Sequence, residues 1–201
     1  MAKKRMTAEE RRQSLIEATI RVVARLNYDR ATTSLIAKEA GVNEALIYSH
    51  FKSKTELQLA TLDYLLDFRL GVYKSNPVFA EENRHQSVLK ELNAQYIRML
   101  ERPEISMFAC ILKAMFALEP DIREKGMQCC MAFVEFNREN LIEDKARGFF
   151  KGPYDPEIIS WEIMGKIMLV STLAVNDRLD VFGLENVKKS IRYFEKIYLN
   201  G

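Results

Sequence analysis

The chain has 201 residues, 48% of them apolar, and a formal net charge of +2. This length and composition suit a soluble globular protein of one or two domains with a sizeable core. The N-terminus is charged and has no apolar core, which argues against a secretory signal. The longest apolar run, 167–175, is too short for a membrane span, and three cysteines do not suggest a disulfide framework. We therefore expect a cytoplasmic protein with no membrane partner.

Positive charge is concentrated near the N-terminus. Residues 1–60 contain 11 Lys and Arg against 7 Asp and Glu, whereas the rest of the chain contains 19 against 21. An excess of this size suits a small nucleic-acid footprint, but an ordinary solvated helical surface would also produce it. Charge alone leaves both interpretations open.

The chain predicts helices throughout, because apolar residues recur at spacings of three and four and all five prolines follow residue 76. We therefore expect an all-α protein. A capping box of Thr7 and Glu10 opens the first helix. The second helix begins at Thr33, Gly41 makes a turn, and Asn43 caps a third helix of about eight residues.

A long fourth helix, 53–75, follows from a second capping box at Ser53 and Glu56. We expect it to bridge two domains. The first, 1–52, would be a three-helix DNA-binding domain of the helix-turn-helix type. The second, 53–201, would contain at least five further helices after residue 77 and would carry the dimer contact.

The last two predicted helices carry more apolar surface than one neighbour can cover. The helix 157–176 is apolar on more than one side, and the helix after it has a narrow apolar seam of the kind used in bundles. We predict a four-helix homodimer interface, with an intramolecular bundle as the alternative. The predicted interface residues are Ile163, Ile167, Val170, Leu184, Val187, Ile191, Phe194 and Tyr198.

The segment 31–57, ATTSLIAKEAGVNEALIYSHFKSKTEL, resembles the DNA-binding signature of the TetR family of transcriptional regulators. The resemblance covers about 50 residues, and the rest of the chain agrees only in its helical layout. It rests on a set of residues in the family's spacing: Thr33, Ile36, Ala37, Ala40, Gly41, Val42, Ile47, Tyr48, His50, Phe51, Lys54 and Leu57.

Ile47 and Phe51 lie four residues apart and point inward, which leaves the opposite side of the third helix for the DNA major groove. Thr33 and Lys54 begin helices and are placed for phosphates. The resemblance implies that Tyr48 and His50 also clamp the DNA backbone. The predicted DNA-binding set is Thr33, Glu44, Ala45, Leu46, Tyr48, Ser49, His50 and Lys54.

The third helix departs from the family pattern at several positions, including Glu44, Ala45 and Leu46. Leu46 could touch a thymine methyl group or add a core contact. Glu44 could accept a hydrogen bond from a cytosine amino group or simply face solvent. The basic residues of the N-terminus could form a DNA-binding arm or a disordered tail: Lys3, Lys4, Arg5, Arg11 and Arg12.

The resemblance implies that the second domain encloses a small-molecule inducer. Methionines and aromatic residues line adaptable apolar pockets, although at helical spacing they more often belong to the core. The pattern suggests a hydrophobic or aromatic ligand. The candidate lining residues are Tyr96, Met99, Phe108, Met115, Met131, Trp161 and Met164.

We therefore predict a dimeric repressor that is released from a palindromic DNA operator by a small ligand. The alternatives are an activator, or a helical interaction or architectural DNA-binding protein without a ligand response. Catalysis has little support, because the only two histidines and the absence of a glycine-rich phosphate loop suggest no catalytic set. We expect neither a cofactor nor a metal.

Overall fold

The computed structural model of the protein describes residues 6–79, 87–101, 105–150, 154–176 and 178–200. Over these ranges the chain forms α-helices joined by turns and contains no strand, which confirms the predicted all-α class. Nine α-helices are described: α1 Ala8–Arg25, α2 Thr33–Ala40, α3 Glu44–Tyr48, α4 Lys54–Lys74, α5 Val88–Leu100, α6 Ile105–Ala114, α7 Pro120–Ala146, α8 Pro156–Val175 and α9 Leu184–Asn200.

The predicted caps of the first helices are present. The Thr7 hydroxyl accepts from the Glu10 amide at 3.1 Å, and the Glu10 carboxylate accepts from the Thr7 amide at 2.7 Å. Gly41 ends α2 with a φ of 67°, a left-handed conformation that glycine adopts without steric cost. The Asn43 side chain then accepts from the Leu46 amide at 2.9 Å and starts α3.

The predicted length of α3, about eight residues, is wrong, because the helix contains only five. The amides of His50 and Phe51 both donate to the carbonyl of Ile47, at 3.0 and 2.9 Å, so the hydrogen-bonding pattern of the helix ends there. The Ser49 hydroxyl donates to the Leu46 carbonyl at 2.8 Å and satisfies another end group. The spacing of Ile47 and Phe51 did not show where the helix would end.

The chain divides into two compact units, and each is built from separate stretches of sequence. The first, the head unit, contains residues 1–67 and 106–129, and the second, the body unit, contains residues 68–105 and 130–201. The head unit therefore includes most of α6 and the beginning of α7 in addition to α1, α2, α3 and α4 as far as residue 67. The predicted domain boundary after residue 52 stays a prediction.

The core of the head unit joins its early helices. Leu15, Ile36, Ile47, Phe51 and Leu57 are all fully buried. Burial of side chains of this size stabilises a fold by about 1.5–3 kcal/mol each. Four of these residues lie on α1, α2, α3 and α4, and Phe51 lies between α3 and α4, so together they hold α3 in a fixed position against the other helices.

The body unit has its own core between α5, α7, α8 and α9. Its buried cluster consists of Leu89, Leu141, Phe150, Ile159, Ile163, Phe194 and Leu199, with Tyr154, Ile167 and Tyr198 packed against it. At the beginning of α5, the carboxylate of Asp144 accepts from the Ser87 hydroxyl at 2.6 Å and from the Val88 amide at 2.7 Å. None of the described helices is long and apolar enough to cross a membrane.

Candidate nucleic-acid interface

One side of α3 is fixed in the core, and the other is open to solvent. Ile47 is fully buried, whereas Glu44, Ala45, Tyr48 and Ser49 are exposed. This arrangement agrees with the predicted division of the helix into an inner and an outer side. The exposed side carries acidic, aromatic and hydroxyl groups, and these can form hydrogen bonds with base edges or phosphates in a DNA groove.

The remaining residues of the predicted DNA-binding set are less exposed. Leu46, His50 and Lys54 are half-buried, and Thr33 is only 8% exposed. Partial burial of Leu46 agrees with its alternative role as a core contact, and it leaves part of the side chain at the surface. Lys54 is the first residue of α4, as the sequence predicts to within one residue.

Arg12 holds the end of α3 against α1. Its guanidinium donates to the carbonyl of His50 at 3.1 Å, and its Cζ lies 4.1 Å from the centre of the Phe51 ring. A guanidinium at this distance from an aromatic face makes a favourable cation–π interaction. In this structure Arg12 therefore positions α3, whereas Lys3, Lys4 and Arg5 of the predicted arm lie outside the described residues.

A hydrogen-bonded group links α2 and α3 at the exposed side. The Thr33 hydroxyl donates to the Glu44 carboxylate and lies 3.4 Å from the Tyr48 hydroxyl. The structure thus brings together three residues of the predicted DNA-binding set. Glu44 was expected either to read a base or to face solvent, and a contact with Thr33 was not among these alternatives.

Ion pairs fix α2 against α1. Glu39 accepts from Arg25 at 2.6 Å and from Arg21 at 2.7 Å. The hydrogen bonds from Arg25 and Arg21 lower the pKa of the Glu39 carboxyl below its usual value. Exposed pairs of this kind contribute little to stability, so they serve mainly to orient the two helices.

A lysine of α6 closes the C-terminal end of α1. The Lys113 amine donates to the carbonyls of Ala24, Val23 and Leu26 at 2.5, 3.2 and 3.3 Å. These carbonyls lie at the end of α1, where the helix dipole favours a positive charge. Burial lowers the pKa of Lys113, and the neighbouring Cys110 partly opposes this effect.

Sequence reasoning missed both Arg12 and Lys113 as positioning residues. Lys113 lies 89 residues from Ala24 and Arg12 lies 38 residues from His50, so no local pattern connects either pair. A single positive charge on a helix normally indicates a solvated side chain. Only the tertiary structure shows that these two cations have carbonyl partners.

The predicted dimer residues lie mostly inside the body unit. Ile163, Val170, Val187, Ile191 and Phe194 are buried within the single chain. The other three predicted residues, Ile167, Leu184 and Tyr198, are half-buried. The predicted role of these eight residues in a dimer stays a prediction, and the core they form agrees with the alternative of an intramolecular bundle.

A different set of apolar side chains on α8 and α9 is exposed: Ile158, Trp161, Leu169, Tyr193 and Ile197. An open groove of about 460 Å³ runs between the two helices and is lined partly by Gly165, Lys166, Ser190 and Tyr193. We refer to these side chains and the groove as the α8–α9 face. Exposed apolar side chains grouped on two neighbouring helices are typical of a contact with another protein surface.

The candidate ligand-binding residues are divided between the units. Tyr96 and Met164 are buried in the body unit, whereas Phe108 is buried and Met115 half-buried in the head unit. Met131 and Trp161 are exposed at the surface of the body unit, and the Trp161 indole donates to Glu157 at 2.9 Å. The side chain of Met99 lies outside the described part of the structure.

Tyr96 is the candidate with the clearest polar surroundings. Burial raises its pKa well above the usual range, and its hydroxyl donates to the Lys166 carbonyl at 3.4 Å. Across the described residues no group of three or more His, Cys, Asp and Glu side chains is placed to hold a metal ion.

Helices α2 and α3, the turn at Gly41 between them and the exposed side of α3 form a helix-turn-helix motif. Residues 15–61 match the family model of bacterial regulatory proteins, tetR family. Among curated proteins, the HTH-type transcriptional regulator BetI of Pseudomonas fluorescens is 41% identical over 56 residues, which are 28% of this chain and 28% of that protein. Residues 15–61 therefore carry a DNA-binding segment of the TetR type, and the chain spans less than a third of the length of the curated relatives it matches.

Solved structures extend the likeness of the fold to nearly the whole chain. A transcriptional regulator of Saccharomonospora viridis, solved in complex with choline, has a TM-score of 0.71 at 18% identity and covers 94% of this chain and 96% of its own. The regulator FadR of Bacillus subtilis, solved in complex with stearoyl-CoA, has a TM-score of 0.66 at 19% identity and covers 89% and 94%. At this level of identity the likeness shows the shared fold.

Proposed function

We propose that the protein is a sequence-specific DNA-binding transcriptional regulator that acts as a dimeric repressor. The main support is the structure of α3. Ile47 and Phe51 fix its inner side in the core, Arg12 holds its end, and its outer side is exposed. A short helix fixed in this way can enter the major groove as a rigid reading element.

The DNA contacts of this proposal divide into two groups. Tyr48, His50 and Lys54 would bind phosphates and set the register, while Glu44, Ala45 and Leu46 would meet base edges. Ser49 lies beside them and can serve either role. The exposure of Glu44, Ala45 and Tyr48 supports these contacts, because they require no rearrangement of the core.

A palindromic operator requires two copies of α3, one for each half-site, and the α8–α9 face supplies a surface for a second copy of the chain. Leu169 and Tyr193 are 64% and 68% exposed, and each lies on one of the two helices. A symmetric pairing of this face would bury the exposed apolar side chains of both copies. We therefore place the dimer contact on Leu169, Tyr193 and their neighbours, with Tyr198 and Ile167 beside them.

We further propose that a small molecule with a substantial apolar part releases the protein from DNA. The body unit contains buried polar groups beside an apolar core, including Tyr96 and Asn93. Pockets for such ligands combine apolar walls with a few polar groups. Two solved structures of similar fold are complexes with choline and with stearoyl-CoA, and the second of these ligands carries a long acyl chain.

The test has two stages. Purified protein is first used to select duplexes from a random DNA pool, and the selected sequences are expected to be palindromic, with half-sites about one helical turn apart. A screen of small molecules for release of the selected DNA follows. Binding to all duplexes with equal affinity would instead indicate an architectural protein. If the protein selects a sequence but no small molecule releases that DNA from it, the proposed ligand response is wrong.

A further inference from the structure

The Thr33 hydroxyl is already engaged within the protein. It donates to the carboxylate of Glu44, and the Tyr48 hydroxyl lies 3.4 Å away. Thr33 itself is 8% exposed, whereas Glu44 and Tyr48 face solvent. Two helices therefore meet at this point through one buried hydroxyl and one exposed carboxylate.

This contact opposes the binding of a phosphate at Thr33. A threonine hydroxyl carries a single hydrogen to donate, and a phosphate oxygen can only accept. While Thr33 donates to Glu44, it has no hydrogen for a DNA phosphate. The carboxylate also places a negative charge beside the position that the phosphate would occupy, and two neighbouring negative charges repel each other.

Glu44 has a second partner available in DNA. The amino group of cytosine in the major groove donates to carboxylates, and Glu44 is exposed at the beginning of the proposed reading helix. A carboxylate that turns towards such an amino group exchanges one hydrogen bond for another and leaves Thr33. Guanine and thymine present no amino group in the major groove, and adenine presents its amino group beside the N7 acceptor, which disfavours a carboxylate.

We infer that Glu44 determines sequence specificity by weakening the binding of DNA that lacks a cytosine at one position, and this inference rests on the proposed DNA-binding function. Its carboxylate accepts a hydrogen bond from the Thr33 hydroxyl until it accepts one from a cytosine amino group instead. The Thr33 hydroxyl can then donate to a phosphate. The reading of one base and the binding of the backbone are thereby coupled. On other sequences the carboxylate stays on Thr33 and weakens binding of the adjacent phosphate.

The inference is tested with Glu44→Ala and Glu44→Gln, each measured on a selected operator and on an unrelated duplex at fixed salt. Both variants are expected to bind the unrelated duplex about tenfold more tightly than the unchanged protein, because neither has a negative charge beside the phosphate. Selection with Glu44→Ala is expected to lose a cytosine preference at one position of each half-site. Glu44→Gln is nearly isosteric, so it tests the charge even where the alanine variant is unstable.

A double-mutant cycle with Thr33→Val tests whether the affinity gain of Glu44→Ala depends on the Thr33 hydroxyl. The gain in affinity caused by Glu44→Ala is expected to shrink by at least half when residue 33 cannot donate, since the released hydroxyl is then missing. Ser34→Ala, which removes a neighbouring exposed hydroxyl from α2, is the matched control and should leave the gain unchanged. Thermal unfolding of each variant verifies the fold.

Two results would overturn the inference while the proposed function stands. One is loss of the cytosine preference with no gain on the unrelated duplex, which would make Glu44 a simple base-reading residue. The other is unchanged affinity and unchanged selected sequences, which would make the contact with Thr33 structural only. Failure of the proposed function is distinguishable, because the unchanged protein itself would then select no sequence.

Discussion

The guanidinium of Arg12 covers the ring of Phe51, with its Cζ 4.1 Å from the ring centre, and it also donates to the carbonyl of His50. One side chain of α1 thus contacts both the buried anchor and the backbone at the end of the reading helix. The position of α3 depends on this contact as well as on the apolar core.

Replacement of Arg12 by Ala should therefore lower stability and DNA binding together. Loss of the cation–π interaction and of a charged hydrogen bond is expected to cost about 1–2 kcal/mol of the free energy of unfolding, measured by denaturant titration. Arg11→Ala removes the same charge one residue away and is the control. Equal destabilisation by both substitutions would show that charge alone, and not the contact with Phe51, is responsible.

Replacement of Lys113 by Met should destabilise the head unit while keeping most of the apolar stem. Three carbonyls near the end of α1 lose their donor, and we expect a loss of about 1–2 kcal/mol in the free energy of unfolding. Lys90→Met, on the exposed side of α5, should change stability by less than about 0.5 kcal/mol. Hydrogen exchange of the last amides of α1 should accelerate only in the Lys113 variant.

Two helical glycines should respond in opposite directions to replacement by Ala. A Cβ at Gly126 would lie 2.7 Å from the Ala114 Cβ and 2.8 Å from the Met115 amide nitrogen, so α6 and α7 would have to move apart. This strain should outweigh the gain in helix propensity and cost about 1–2 kcal/mol. A Cβ at Gly71 meets nothing within 4 Å, so Gly71→Ala should stabilise by up to about 1 kcal/mol.

Thermal unfolding of the two glycine variants checks this difference in sign. Equal stabilisation by both would mean that α6 and α7 separate without cost at Gly126. Each substitution adds the same single methyl group, so the comparison isolates the close packing at Gly126.

Leu169→Glu should separate the proposed dimer without unfolding the chain. Leu169 is 64% exposed, so the subunit tolerates a charge there, but a symmetric contact would place two carboxylates in an apolar interface. Sedimentation at micromolar concentration should show a dimer for the unchanged protein and a monomer for the variant. Phe116→Glu, at an exposed residue of the head unit, should remain dimeric; a dimeric Leu169 variant would place the contact elsewhere.

Lys166 should make stability depend on pH in the alkaline range. Its amine lies 2.9 Å from the centre of the Phe194 ring, and burial lowers its pKa to about 8 although the nearby Glu162 acts in the opposite direction. The unfolded chain keeps this proton to about pH 10.4, so it binds more protons than the folded chain between these values. This contribution to the free energy of unfolding therefore rises as pH increases through that window.

The comparison of the unchanged protein with Lys166→Met isolates this contribution from other titrating groups. The stability of the unchanged protein relative to the variant should increase from pH 7.5 to 9.5, measured by denaturant titration. A constant difference would show that the folded protein holds the Lys166 proton as firmly as the unfolded chain does.

The sequence predicts the features that depend on nearby residues. Thr7 and Asn43 bind amides three residues away, and Ile47 and Phe51 share one side because they are four residues apart. Such relationships are visible in the order of the residues. The contact of Lys113 with Ala24 is not, because it depends on the path of the chain between them.

The two sides of α8 show a different limit of sequence reasoning. Ile163 and Leu169 are both apolar, but the first is 5% exposed and the second 64% exposed. Hydrophobicity indicates that both side chains favour burial. It does not indicate which of them is buried within the single subunit. The neighbours supplied by α5, α7 and α9 make that choice, so the predicted interface and the exposed face differ.

The composition of the head unit has a consequence for synthesis of the protein. Residues 106–129 belong to this unit, and through Cys110 and Lys113 they contact backbone carbonyls of α1. A ribosome must therefore translate beyond residue 129 before the N-terminal helices obtain all their partners. A fragment that ends at residue 67 would contain the reading helix and lack part of its support, and nascent chains of that length would expose apolar surface of α1.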